Sequence, residues 1–107
     1  MLLNHLIMST LAVTTVLEAR ATANEWLFSH LPDRFAAGIP EYNQALSGWC
    51  VPVWLSYPLL EPLGPVGKLV IDESSGIVRE HTPIDEMKNC ALGLYEQHRE
   101  QIEAAIP

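Results

Sequence analysis

The chain has 107 residues, 49% of them hydrophobic, and its 13 carboxylates outnumber six Lys and Arg to give a net charge of −7. This length fits a single domain, which can fold without disulfides or a structural metal. The basic residues stand singly in the sequence, whereas nucleic-acid binding and docking on anionic membranes need clusters of cations. We therefore expect neither nucleic acid nor a membrane as a partner. The large apolar fraction favours an additional buried face, in a homodimer or against another protein.

The N-terminal segment carries no Lys, Arg, Asp or Glu over residues 1–17, and it lacks the positive start of a secretory signal. We expect residues 1–14 to be a flexible leader, beginning at Met1 or Met8, and residues 15–107 to form one domain. Cys50 and Cys90 form no C-x-x-C motif and are interpreted as thiols in a reducing cytoplasm. If the first 23 residues are instead a signal peptide, the protein is periplasmic or secreted.

The first predicted helix covers residues 15–31. Thr15 and Glu18 match a capping box, in which the two side chains satisfy free amides of the first turn. Apolar residues recur at helical spacing after it. Pro32 ends the helix, because the residue before a proline disfavours the helical region.

The middle of the chain predicts strands at residues 49–57, 66–72 and 77–81, with a weaker one at 39–46. The odd positions of the first segment are uniformly apolar. Pro52 cannot donate to a ladder, so this strand is expected at a sheet edge, or Pro52 marks a bulge. Residues 58–65 predict a proline-rich loop, and residues 72–76 a hairpin turn with Gly76 at positive φ.

The second predicted helix begins with Thr82 as N-cap and Pro83 as first residue, followed by acidic Asp85. An apolar stripe continues from Ile84 to Ile102. Gly93 lies inside this helix, where glycine is unfavourable, and we expect a close contact between helix and sheet to explain it. The expected architecture is α+β: an N-terminal helix, an antiparallel sheet of three to four strands, and a C-terminal helix packed on the sheet.

The helix and strands together resemble a PepSY-type unit over residues 16–80. The resemblance lies in a W-x-V-x-V strand starting at Trp49, a strand ending Val70-Ile71-Asp72, and the turn Ser75-Gly76 followed by Ile77-Val78. Units of this type are generally regulatory or inhibitory modules, and many act outside the cytoplasm. The resemblance implies a binding role and assigns no catalytic or ligand residue.

Candidate chemistry is sparse. His81 and Asp85 lie four residues apart, but no second histidine follows at i+4 as in a helical zinc site, so they are interpreted as structural. His98 falls on the apolar stripe and Cys50 lies in a strand, without a motif that joins them as base and nucleophile. No catalytic residue, metal site or cofactor is therefore predicted, and we expect the protein not to be an enzyme.

Trp49 and Trp54 have opposite parity on the strongest strand, so they are expected on opposite faces of the sheet. With Trp49 in the core, Trp54 is either covered within the chain or part of an interface, where tryptophan is enriched. The predicted loop at residues 58–65 contains three leucines and is apolar as well. The candidate interface residues are Pro52, Trp54, Leu59, Leu60 and Leu63.

These observations predict a non-enzymatic protein-interaction module, such as a small inhibitor or antitoxin-like regulator that acts as a dimer or heteromer. Its acidity would suit a basic target. The alternative is a small-ligand-binding protein with a pocket between the sheet and the helices.

Overall fold

A computed structural model describes residues 14–105 of the chain. The expected α+β class is confirmed, with a sheet of five strands instead of three to four. The predicted leader lies outside the described residues except for Thr14. In chain order the elements are α1 (Val16–His30), β1 (Phe35–Ala37), β2 (Glu41–Asn43), β3 (Gly48–Leu55), β4 (Gly64–Asp72), β5 (Val78–His81), α2 (Ile84–Gln97) and α3 (Arg99–Ala105).

The sheet is antiparallel throughout, with β3 and β4 in the middle and β5 at one edge. Two short strands share the other edge. β1 pairs with residues 53–55 of β3, and β2 pairs with residues 48–50. The sequence indicated β2 only within a longer segment and did not indicate β1, because three residues are too few to show a strand period.

Pro52 lies in a central strand, so its predicted place at a sheet edge is wrong. It is tolerated because it faces the break between β1 and β2. The N–H of Gly38 donates to the carbonyl of Pro52 at 2.8 Å, and pairing with β2 resumes only at Cys50. The missing N–H of Pro52 therefore removes no bond of the ladder. The bulge that was the alternative explanation lies one residue further, between Val53 and Trp54.

Helices α1 and α2 pack on the same face of the sheet, which we call the helix face. Val51 and Val53 of β3 and Leu69 and Ile71 of β4 are fully buried there. The helices contribute Ala19, Ala23, Leu27, Met87 and Ala91 to the same core. Small residues on α1 allow the helix to lie close to the strands.

The start of α1 is fixed as predicted. The Thr15 side chain accepts a hydrogen bond from the N–H of Glu18, and the Glu18 carboxylate accepts one from the N–H of Thr15. These bonds with Thr15 hold the pKa of the Glu18 carboxyl below its usual value. The preceding residue, Thr14, is buried and joined to the sheet. Its N–H donates to the Glu73 carbonyl at 3.0 Å, and its own carbonyl accepts from Nε1 of Trp49 at 3.1 Å.

The start of α2 differs from the prediction. Pro83 is the N-cap residue and Thr82 is not, because the hydroxyl of Thr82 accepts a hydrogen bond from the N–H of Lys68 on β4 instead. Asp85 lies in the first turn, as expected, and is followed there by Glu86.

The middle and the end of α2 also differ from the prediction. Apart from the helix itself, no atom of residues 14–105 lies within 4 Å of the position that a Cβ of Gly93 would take, so the expected close contact with the sheet is wrong. The predicted single C-terminal helix is broken at His98, which is the C-cap residue of α2 and lies before α3.

Among the described helices, none is both long enough and apolar enough to cross a membrane.

Candidate functional site

The face of the sheet opposite α1 and α2, which we call the open face, has an apolar centre between two carboxylates. The strand register places Glu41, Cys50, Val70 and Glu80 in one row across four strands. Directly paired residues point to the same side of a sheet, so the four side chains share this face. Val70 is buried, Cys50 is half-buried, and both glutamates are exposed on edge strands.

Pro52 and Trp54 continue this apolar centre along β3. Both are half-buried and alternate with Val51 and Val53, which face the helices. Trp49 lies on the helix face, so the predicted placement of the two tryptophans on opposite faces is confirmed. On the open face the Pro52 ring and the Trp54 indole both lie against Gly38. A Cβ at this glycine would come within 2.8 Å of Cγ of Pro52, so the arrangement depends on the missing side chain.

A shallow cleft of about 380 Å³ surrounds the indole of Trp54. Its apolar walls come from Ile39, Pro52 and Pro62, and Arg20 lies at its rim. We call Ile39, Pro52, Trp54 and Pro62 the Trp54 surface. Ile39 is a large apolar side chain that is 71% exposed. Within residues 14–105 the indole N–H of Trp54 donates no hydrogen bond, and its nitrogen lies against Gly38.

The three leucines of the predicted interface lie in different environments. Leu59 is 86% exposed, Leu60 is half-buried, and Leu63 packs against the core. The loop itself reaches the Trp54 surface through Pro62. It is held to the end of β3 because the N–H of Leu63 donates to the carbonyl of Leu55 at 2.9 Å.

Leu59 has a backbone φ of 70°, in the left-handed region. A bulky side chain rarely adopts this conformation, and strained residues of this kind concentrate in binding and switch segments. Leu59 therefore combines high exposure, an apolar side chain and a strained backbone in one loop.

Sequence reasoning missed Ile39, Pro62 and Arg20 as neighbours of Trp54. Ile39 belongs to the break between β1 and β2, and its position follows from the pairing of both short strands with β3. No local pattern reports that pairing. Pro62 could have been found, since it lies within the loop already singled out by its leucines.

The histidines do not form a metal site within the described residues. His30 and His81 instead contact the ring of Trp26, with centroid distances of 4.2 and 4.6 Å. His98 bonds to the side chain of Gln101 at the α2–α3 junction. Cys50 is half-buried on the open face and Cys90 is exposed on α2, and both are free thiols.

Comparisons with protein-family models, with curated proteins and with solved structures found no match to this chain.

Proposed function

We propose that the protein is a non-enzymatic protein-binding module and that the Trp54 surface is its contact site. The observation that carries this proposal is a half-buried tryptophan on the face of the sheet that α1 and α2 leave uncovered. It is flanked by an isoleucine that is 71% exposed. Aromatic residues in apolar surroundings with a polar rim are typical centres of protein interfaces.

The charges around this surface favour a basic partner. Glu41 and Glu80 lie on the two edge strands of the open face, and Glu61 precedes Pro62 in the loop. Two cations lie near them: Lys68 is paired with Pro52 on the same face, and Arg20 lines the cleft with its Nε already bonded to a backbone carbonyl. Complementary charge steers association and suppresses binding of wrong partners. The net charge of −7 on the whole chain also attracts a basic protein.

The interacting protein therefore presents an apolar side chain for the Trp54 cleft and Lys or Arg for the glutamates. A small inhibitor or antitoxin-like regulator of a basic target fits this description, as does the regulatory role that the PepSY-type resemblance implies. We favour a complex with a different protein over a homodimer through this face, because two copies of the chain would bring their carboxylates together.

The charge argument is tested by affinity capture of the tagged chain from its source cells, comparing two double variants of equal net charge. Glu41→Lys with Glu80→Lys reverses charge on the open face. Glu25→Lys with Glu100→Lys reverses it on exposed positions of α1 and α3. We expect a stoichiometric basic protein that the first variant loses and the second retains, and that elutes at about 0.5 M salt, where exposed charges are screened. Equal retention by both variants would contradict the basic partner.

A further inference from the structure

A second cleft lies on the helix face, between α2 and the segment that leads into β1. Its volume is about 290 Å³, near the lower end of the range for small-molecule sites. Three of its nine lining residues are aromatic. The principal lining residues are Arg34, Phe35, Tyr57, Lys88, Leu92 and Tyr95.

The helical wall of this cleft is one flank of α2. Lys88, Leu92 and Tyr95 are spaced i, i+4 and i+7, so their side chains lie along the same side of the helix. The ring of Tyr95 lies 6.5 Å from the ring of Tyr57, which belongs to the opposite wall. Leu92 is 60% exposed at the rim although it is large and apolar.

The charges of the cleft are opposite to those of the molecule. Arg34 and Lys88 line it and no carboxylate does, although the chain has 13 carboxylates and only six Lys and Arg. The guanidinium of Arg34 lies 5.1 Å from the centre of the Tyr57 ring, and its contact with Asp33 is long, at 3.8 Å.

Three donors of the cleft, Lys88 and the hydroxyls of Tyr57 and Tyr95, are unused within residues 14–105. There, Lys88 forms no ion pair. The hydroxyls of Tyr57 and Tyr95 form no hydrogen bond in the same range. The cleft thus offers apolar rings and cationic or hydroxyl donors, and among the described residues the one carboxylate in contact with its cations is that of Asp33, at 3.8 Å from Arg34 and outside the lining.

We propose that this cleft binds a free, small carboxylic acid with an apolar body. The rings of Phe35, Tyr57 and Tyr95 contact the hydrocarbon, and Lys88 with Arg34 binds the carboxylate through charge-assisted hydrogen bonds. The site is separate from the Trp54 surface, because it lies on the helix face, so its occupancy does not depend on the protein-binding proposal.

The experiment is a titration of the isotope-labelled full chain with octanoate, followed by amide and side-chain NMR shifts. Octan-1-amine and octan-1-ol are the matched probes, since they keep the hydrocarbon and change only the head group. We expect octanoate to shift the signals of Tyr57, Lys88 and Tyr95, and to bind at least about fivefold more tightly than the amine or the alcohol.

Two exposed lysines provide the matched variants. Lys88→Gln should weaken octanoate binding by about threefold or more, and Lys68→Gln, on the open face, should leave it unchanged. The proposal is overturned if the amine binds as tightly as octanoate. It is also overturned if octanoate shifts no cleft residue, or if both lysine variants behave alike.

Discussion

The backbone N–H of Ala37 donates a hydrogen bond of 2.8 Å to Oδ1 of Asn24, which joins the edge strand β1 to helix α1. Arg20, one turn earlier on the helix, donates from Nε to the carbonyl of Ala37 at 3.2 Å. Side chains thus satisfy both backbone groups of a residue on an open edge. Unpaired edges invite strand pairing with another chain, so this arrangement protects β1 from such pairing.

Replacing Asn24 by alanine should therefore uncover the edge. We expect Asn24→Ala to lower the free energy of unfolding by about 1–2 kcal/mol, since the buried N–H of Ala37 loses its acceptor. Urea denaturation measures the loss, and amide exchange at Ala37 should accelerate. Ser29→Ala is the control, because the Ser29 hydroxyl bonds only to the Glu25 carbonyl of its own helix. An unchanged exchange rate at Ala37 in Asn24→Ala would contradict this role.

Two glycines predict opposite responses to the same substitution. At Gly67 a Cβ would lie 2.7 Å from Cγ of Met87 and 2.9 Å from Cβ of Thr82, so Gly67→Ala must displace these side chains at the contact between α2 and β4. We expect a loss of about 1–3 kcal/mol, as for overpacked cores. Gly93→Ala meets no atom within 4 Å and removes a flexible residue from a helix interior. It should stabilise the protein by about 0.5–1 kcal/mol.

Denaturation midpoints of these two variants, measured under identical conditions, provide the comparison. Stabilisation by both substitutions would show that α2 does not lie as close to Gly67 as described.

Asp72 predicts a dependence of stability on pH. Its carboxylate accepts hydrogen bonds from the backbone N–H and from the hydroxyl of Ser75, and it pairs with Arg79. These contacts, the backbone bond first, hold the pKa of Asp72 below its usual 3.8. A carboxyl whose pKa is lowered by folding stabilises the native state above its unfolded pKa. That contribution is lost as the pH falls through the folded value.

We therefore expect the stability of the wild-type protein to fall below about pH 4, and to fall less steeply in Asp72→Asn. Urea midpoints between neutral and acidic pH measure both slopes. Ser75→Ala should raise the pKa of Asp72 toward its usual value in a carboxyl NMR titration. If the titration of Asp72 is the same with and without the Ser75 hydroxyl, the hydroxyl is not among the causes of the lowered pKa, and the backbone N–H of Ser75 remains the first of them.

Leu59 is expected to trade stability for binding. Glycine tolerates the left-handed backbone at this position, whereas leucine is strained there. We predict that Leu59→Gly stabilises the free protein by about 1 kcal/mol and weakens binding of the protein partner. Leu63→Gly serves as the contrast, because its side chain packs against the core and its loss should destabilise the protein. Unimpaired binding by Leu59→Gly would show that the contact with the partner does not extend from the Trp54 surface to the tip of this loop.

Much of the fold was predictable because its signals are local. The capping box at Thr15 and Glu18, the alternation along β3 and the hairpin at Gly76 each depend on neighbouring residues, and all three are present. The edge strand β1 was not predictable, because its three residues are defined by contacts with β3 and with Asn24, which are distant in sequence.

The predicted start of α2 was wrong for a similar reason. Thr82 has the chemistry of an N-cap, but its hydroxyl bonds to the N–H of Lys68, and that long-range contact outweighs the local preference. The same limit applies to the candidate site. The odd and even positions of Trp49 and Trp54 were enough to predict that they lie on opposite faces of the sheet. The place of Ile39 beside Trp54 depends on how the short strands pair in three dimensions, which the sequence does not show.

The central claim, that the Trp54 surface binds a protein, is tested most directly by quantitative capture with three single variants. Trp54→Ala removes the indole, Ile39→Asp places a charge on the same surface at a side chain that is 71% exposed, and Phe28→Ala removes an aromatic side chain that is 81% exposed on α1. Circular dichroism and thermal unfolding establish that each variant is folded. The account predicts that Trp54→Ala and Ile39→Asp lose the stoichiometric partner at least about tenfold, as at interface hot spots, and that Phe28→Ala retains it. Retention of the partner by folded Ile39→Asp and Trp54→Ala, or its loss with Phe28→Ala alone, would contradict the claim.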